Sequence, residues 1–594
     1  MRRWGAGAAW MAACTALAGV VALAGADLSA GGETWRFDRL DQIGGHASTV
    51  LGRPQVVDTS IGKAVLFDGV HDALQVGAHP LAGAETFTWE VIFRPDAGGG
   101  AAQRFFHLQE TDPKTGQDTA TRLLFELRVI DGRWCLDSAA FSGTESKVLT
   151  DHQKLHPLGV WYHAALVYDG HELRNYVDGV LEGSGTAHLA PQGPGHSTIG
   201  VRINLQYYFK GAVFLARMTP RALAPSEFLS VPHFREHTVA TGLTGGYQVV
   251  AADLNHDGKP DLIALSNGAN KELWWYENPG WEAHSLGSFN QMINCVPVGA
   301  DAAGIPEIVL ATGFANVARN SLGVVSVLRH DGDPRRPWTA QEIDRIPTSH
   351  RLRLADIDSS GKPVVINAPL TGAHAEPPDF REENALVYYR PGIWKRETVT
   401  PANTGLVHGI YILNWEGDGR DEILTAGFEG IHLFKFGRDN QWTRTAIAAG
   451  APDPWPKSGS SDVAVGRLGK ERFLAAIEPW HGNQVAIYRL RGGTWERQVI
   501  DTSITDGHTI QTADLDGDGD DEVIAGYRGG GHNVYLYHYD RSGGTWSRQT
   551  LDQGGMGAAA CTVVDLNGDG RPDIVCIGSA TANLKWYENL GAHP

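Results

Sequence analysis

Five stretches of this sequence repeat one plan, oxygen-bearing residues alternating toward a glycine and ending in an apolar run. They read "DLNHDGKPDLIA" from Asp253, "DIDSSGKPVVI" from Asp356, "NWEGDGRDEIL" from Asn414, "DLDGDGDDEVIA" from Asp514 and "DLNGDGRPDIV" from Asp565. Weaker copies fill the gaps, "GADAAGIPEIV" from Gly299 and "GRLGKERFLAA" from Gly466. Seven units of about 50 residues each are the size of propeller blades. In each unit an apolar run such as "QVVAAD" forms a strand, the acidic loop turns the chain, and two further strands follow. A fourth strand opens at Trp281, Trp338, Trp394, Trp442, Trp495 and Trp546. The seventh repeat lacks this strand, while "FREHTVAT" before the first repeat carries its pattern. We therefore expect a seven-bladed β-propeller over 233–594, closed by that N-terminal strand so that no sheet edge is left open.

The segment before it, 33–232, has no acidic repeats but many short alternating strands. "TFTWEVIFRP", "LLFELRVIDGRWCL" and "WYHAALVYDGHELRNYVDGVLEG" resemble the laminin-G/concanavalin A-like jelly roll, with Trp161, Tyr168, Asp169, Tyr176, Val177, Asp178 and Gly179 as signature. That resemblance implies a β-sandwich and, for function, sugar binding, adhesion or packing alike. The fold class expected for the whole chain is all-β.

The first 26 residues read as a signal peptide: Arg2 and Arg3, an apolar run, then Ala24-Gly25-Ala26 as a small-residue cleavage site. No later stretch is apolar enough to span a bilayer, so a secreted or periplasmic chain without a membrane span is expected. A net charge of −18 argues against a nucleic-acid partner. Cys135, Cys295, Cys561 and Cys576 form no disulfide framework. Cys561 and Cys576 fall on neighbouring strands and could pair in an oxidising compartment; two buried thiols are the expectation there.

Hard oxygens at loop positions 1, 3, 5 and 9, with glycine at 6, suit Ca²⁺. Loop one offers Asp253, Asn255, Asp257 and Asp261; loop seven offers Asp565, Asn567, Asp569 and Asp573. Loop six offers Asp514, Asp516 and Asp518 with Asp521 or Glu522 closing, and loop four Asn414, Glu416 and Asp418 with Asp421 or Glu422. The flanks are strands and position 12 of loop six is Ala525, so these are not EF-hand sensors. They resemble FG-GAP/VCBS repeats, which implies calcium stiffening a strand turn; the alternative is a solvated Asp/Gly turn.

Six residues before three of the loops stands a histidine: His350, His408 and His508. Six strand residues span roughly 20 Å, so these side chains lie at the other end of the inner strands, facing a central funnel. Tyr247, Ile293, Ser460 and Ala559 take that register in the other blades. Loops returning to the same face bring His481, His532, and His374 with Asp379. Clustered imidazoles suit a transition metal or acid–base chemistry.

"SHRLRLADID", "LVHGIYIL", "PWHGNQVAIY", "GHTIQTADLDGDGDDE" and the third-strand "WYENPG" resemble, in the same order, the propeller of the aldos-2-ulose dehydratase (1,5-anhydro-D-fructose dehydratase) family. The resemblance implies a lyase that eliminates water from a keto-sugar. By it His350 is the candidate base, while His408, His481 and His508 bind substrate, donate a proton or hold a divalent ion. That family's fungal enzyme continues into cupin and lectin-like domains; here the jelly roll stands in front of the propeller. The competing reading is a non-enzymatic glycan-binding or adhesion protein. A lyase acting on uronates would want convergent Arg or Lys residues, and the sequence shows no such cluster.

Overall fold

In the computed structural model the described residues are 32–59, 61–229, 231–268, 270–300, 304–541 and 544–593. The expected signal peptide lies outside them. Among them no helix is long and apolar enough to cross a membrane.

The N-terminal part is a sandwich of two antiparallel sheets, of eight and nine strands. Alternate residues of facing strands meet in one core, where Phe93, Phe105 and Phe125 stack at 4.1 and 5.4 Å centroid spacing beside Trp89 and Trp134. The hairpin read from the sequence forms as Tyr162–Tyr168 paired with Glu172–Val177. Val177 then pairs with Val180 across Asp178 and Gly179, both at positive φ (46° and 70°), the geometry a two-residue hairpin loop requires.

Seven four-stranded sheets follow, blades one to seven in chain order. Their inner strands are Gly246–Ala252, Asn294–Val298, Ser349–Ala355, Val407–Leu413, Asp462–Leu468, Gly507–Ala513 and Ala558–Val564. Each touches the next, and the seventh touches the first. Second strands such as Asp261–Ser266 and Glu522–Tyr527 are buried along their whole length because blades pack on both faces, hence their unbroken apolar runs. Blade seven takes its outer strand from Val231–Thr241, paired antiparallel with Asn583–His593. Side chains fasten neighbouring inner strands: the Gln248 amide exchanges two bonds with the Cys295 backbone (2.7 and 3.1 Å), and Leu352 N–H donates to Asn294 (2.9 Å).

One expectation is corrected. Cys561 and Cys576 are not two thiols but a disulfide within blade seven. The alternative the sequence left open holds: the pairing register sets them directly opposite on adjacent strands. Cys135 and Cys295 remain free and buried.

Candidate active site

The two ends of the inner strands carry different chemistry. At one end the first acid of each strong loop folds the turn around itself. Asp565 accepts N–H bonds from Gly568 and Gly570 (both 2.8 Å), and Asp514 from Gly517 and Gly519 (2.7 and 3.1 Å). Asp253 accepts from Asp257 and Gly258 (3.1 and 2.9 Å). Asn255 and Asn567 hold the N–H groups of Asp257 and Asp569 in the same way. The closing acids sit underneath. Asp261 binds the N–H groups of Leu254 and Asn278 (both 2.9 Å), Asp573 those of Leu566 and Asn589 (3.0 and 2.7 Å), and Glu522 that of Leu515 (2.8 Å). In loop four Asp418 accepts from Arg420 N–H, and Glu416, two residues beyond Asn414, is paired with Lys435. In loop six the oxygens of Asp514, Asp516 and Asp518 lie within 4.8 Å of one another. Asp514, Asp516 and Asp520 crowd the exposed Asp518, a repulsion that a bound cation would relieve.

At the other end the chain departs from regular pairing. Tyr247, His350, His408, His508 and Ala559 are each the extra residue of a β-bulge, where the inner strand slips against its neighbour. A bulge re-aims the side chain it carries. Blade five has Ser460 at this register, and its imidazole comes from a loop instead, at His481, whose backbone is left-handed (φ 49°).

Three imidazoles converge, those of His408, His481 and His508, with ligand nitrogens within 4.8 Å of one another. His408 Nδ1 donates to the Ser461 carbonyl (3.1 Å) and His508 Nδ1 to the Ala559 carbonyl (2.5 Å). Both Nε2 atoms are thereby left with free lone pairs. That of His508 is buried without a partner, and that of His408 lies 3.2 Å from His481 Nε2. Arg528 donates to His481 Nδ1 (3.2 Å) and pairs with Asp506 (3.0 Å). His350 stands beside this group, its ring centroid 4.9 Å from that of His408. Its Nε2 meets Tyr247 Oη (2.8 Å) and accepts from Arg351 (3.1 Å). The Arg351 guanidinium also donates to Tyr247 Oη (3.3 Å).

Three of the four imidazoles are buried, while the His481 side chain stays 27% exposed. His350, His408 and His508 are each 1% exposed. Phe314 stacks on His350, Trp480 packs on His481, and Phe380 and Phe428 pack on Trp480. Burial, then neighbouring positive groups, holds His350, His408 and His508 well below the usual imidazole range, and His481 at about 3. All four are therefore neutral at pH 7. His374 and His532 occupy loops whose described bonds run to Glu382, Gly529 and Met556 rather than to this cluster.

Along the axis lies a cavity of about 210 Å³, lined by Tyr247, Arg351, Arg353, Asp462, His508 and Gln511 among others. Here the expectation of no convergent cations is corrected: Arg351 and Arg353 line the cavity, and Arg528 reaches His481. The arginines, Tyr247 and Asp462 were not assigned from the sequence. Three of them stood in plain view, Arg351 and Arg353 in "HRLRL" and Tyr247 at the histidine register. Ring closure, not local pattern, brings them together.

Residues 68–228 match the concanavalin A-like lectin/glucanases superfamily, 322–491 the aldos-2-ulose dehydratase beta-propeller domain, and 514–576 the FG-GAP-like repeat. Aldos-2-ulose dehydratase of Phanerodontia chrysosporium is 25% identical over 365 residues. The match spans 51% of this chain and 38% of that protein, so this chain covers well under half of its relative. Among solved structures, domain 4 of AbnA, a GH43 extracellular arabinanase from Geobacillus stearothermophilus, is 21% identical (TM-score 0.26), covering 33% of this chain and 94% of that one. BBS1N in complex with ARL6DN is 13% identical (TM-score 0.39), covering 61% and 98%. The chain thus joins a concanavalin A-like domain to a seven-bladed propeller with FG-GAP-like repeats that resembles the propeller of aldos-2-ulose dehydratase.

Proposed function

We propose that the propeller is a carbohydrate lyase that eliminates water, or a glycosidic oxygen, from a keto-sugar, on blades stiffened by Ca²⁺. The observation that carries this reading is the meeting of a polar axial cavity with the His350–Tyr247–Arg351 group and the three converging imidazoles.

A ketone acidifies the neighbouring C–H, so elimination needs a base, a holder for the enolate charge and a route out for the hydroxyl. His350 is the base. Tyr247 lines the cavity and its Oη is bonded to His350 Nε2, so in this reading the proton reaches the imidazole through the phenol. Arg351 touches both groups and supplies the fixed positive charge against which the enolate forms. Phe314 on His350 and Trp480 on His481, with Phe428 behind Trp480, put apolar rings beside that charge and strengthen it.

His408 and His508 fit a divalent ion, being neutral imidazoles oriented by backbone carbonyls, one with a buried Nε2 without a partner; His481 would join them by turning an Nδ1–H to Asp506 (3.3 Å), which frees its Nε2. Such an ion, when bound, polarises a substrate oxygen as a Lewis acid. The acidic loops would hold Ca²⁺ as a structural ion at the far end. The jelly roll, in this reading, is an accessory domain that meets a glycan.

The test is ultraviolet absorbance of the enone, with 1,5-anhydro-D-fructose and a set of 2-keto and 3-keto sugars, beside a folded His408→Gln/His508→Gln control. We expect a rise with the wild type alone. Silence across the set with glycan binding intact would favour the adhesion reading.

A further inference from the structure

The base just described leaves the departing oxygen without a proton donor, and the axial cavity holds one unused carboxylate. Asp462 opens the inner strand of blade five, beside Ser461, which holds His408. One of its oxygens accepts the Val463 N–H (3.0 Å). The Ile510 N–H of blade six also bonds the carboxylate, and Asp462 is among the residues that line the cavity. Blade four makes room for it with glycine: a Cβ on Gly409 would stand 2.4 Å from the carboxylate.

The charged groups that act on Asp462 are Arg351 and Arg353 from blade three. Neither makes an ion pair with it within 4.0 Å among the described residues, though both line the same cavity. His408 and Tyr411 of blade four and His508 of blade six are the titratable groups on the flanking inner strands; burial lowers the two imidazoles and raises the phenol, so all three stay neutral. Burial outweighs the two arginines and pushes the Asp462 carboxyl up to about 6. A carboxylic acid so held exchanges its proton near neutral pH, as an acid catalyst must.

We infer that Asp462 is a further catalytic residue, the acid that protonates the hydroxyl leaving the sugar; this rests on the elimination reading above. The atoms balance. The α C–H electron pair becomes the C=C bond, and its proton passes through Tyr247 to His350. The C–O bond breaks with its electrons on oxygen, and the Asp462 proton converts that oxygen to water. Solvent then returns a proton to Asp462 and takes one from His350, and no oxidant or reductant is used.

Replacing the departing hydroxyl by fluoride tests this directly, because fluoride leaves without a proton. The substrates are 1,5-anhydro-D-fructose and its 4-deoxy-4-fluoro analogue, and the enzyme is the full chain with its metals. Asp462→Asn should lose on the order of 10²–10³-fold in kcat for the hydroxyl substrate and stay within about threefold for the fluoride. Equal losses on both, or none on either, overturn the assignment alone. Wild-type inactivity on both overturns the elimination reading and the assignment with it. If Asp462→Asn does not fold, Asp462→Glu keeps the acid but moves it, and must slow the hydroxyl substrate more than the fluoride. Equal slowing is again the contrary result.

Discussion

The inner strands of the propeller end in two kinds of polar cluster. At the acidic end the first acids bond within their own turns: Asp565 binds Gly568 and Gly570, and Asp514 binds Gly517 and Gly519. Ties to the next blade are made there by closing acids on backbone, Asp421 taking the Asp356 N–H and Asp521 the Arg467 N–H. At the histidine end the bonds cross between blades. His408 of blade four binds Ser461 of blade five, His508 of blade six binds Ala559 of blade seven, and His350 of blade three meets Tyr247 of blade one. Turns folded on their own backbone, and tied to the next blade through its backbone N–H groups, build a frame. Bonds across blades, made by residues that differ at one register, build a site.

The largest effect expected from this contrast is on rate. Substituting His508 by Ala should lower enone formation by about 10²–10⁴-fold, the usual contribution of a positioned catalytic group. Asp565→Asn, or removal of calcium, should act on the frame. It should lower the unfolding temperature by several degrees and slow the reaction less than about threefold below that temperature. Kinetics and a melting curve on both variants would check this. Equal rate losses at the two ends would break the comparison.

A smaller effect sharpens it through pH. His350, His408 and His508 sit well below their ordinary 6.5, and His481 at about 3. Between those values and 6.5 the unfolded chain binds more protons than the folded one, so stability rises with pH there. The stabilisation is whole above about pH 6.5 and is lost as pH falls toward 3. We expect the metal-free protein to lose on the order of 5 °C in unfolding temperature between pH 7 and pH 5. The loss should be smaller in a His408→Gln/His508→Gln variant. Parallel slopes in the two proteins would show that the imidazoles are not the buried neutral groups described.

Much of this was legible in the sequence, and the parts that were not have a common cause. The acids around Asp253, Asp514 and Asp565 recur with their glycines, so the blades and the turn end of each inner strand could be counted from spacing alone. The register of His350, His408 and His508 was equally plain. What spacing could not give was direction. In a regular strand His350 and Arg351 face opposite sides, yet the bulge at His350 brings both to Tyr247. Asp462 was hidden for a related reason. Its blade carries Ser460 at the register, and only the cavity shared with blade three shows what the carboxylate faces. The disulfide of Cys561 and Cys576 likewise needed the pairing register.

The most direct test of the central claim, that the histidine end eliminates water from a keto-sugar, is proton NMR of the reaction in D₂O. Wild type and His350→Ala would be given 1,5-anhydro-D-fructose with calcium and a divalent transition metal present. The account predicts that wild type removes the α-proton signal and builds an enone vinyl signal, while His350→Ala leaves the sugar unchanged. A vinyl signal of equal rate from both proteins, or none from a folded, metal-loaded wild type, would contradict it.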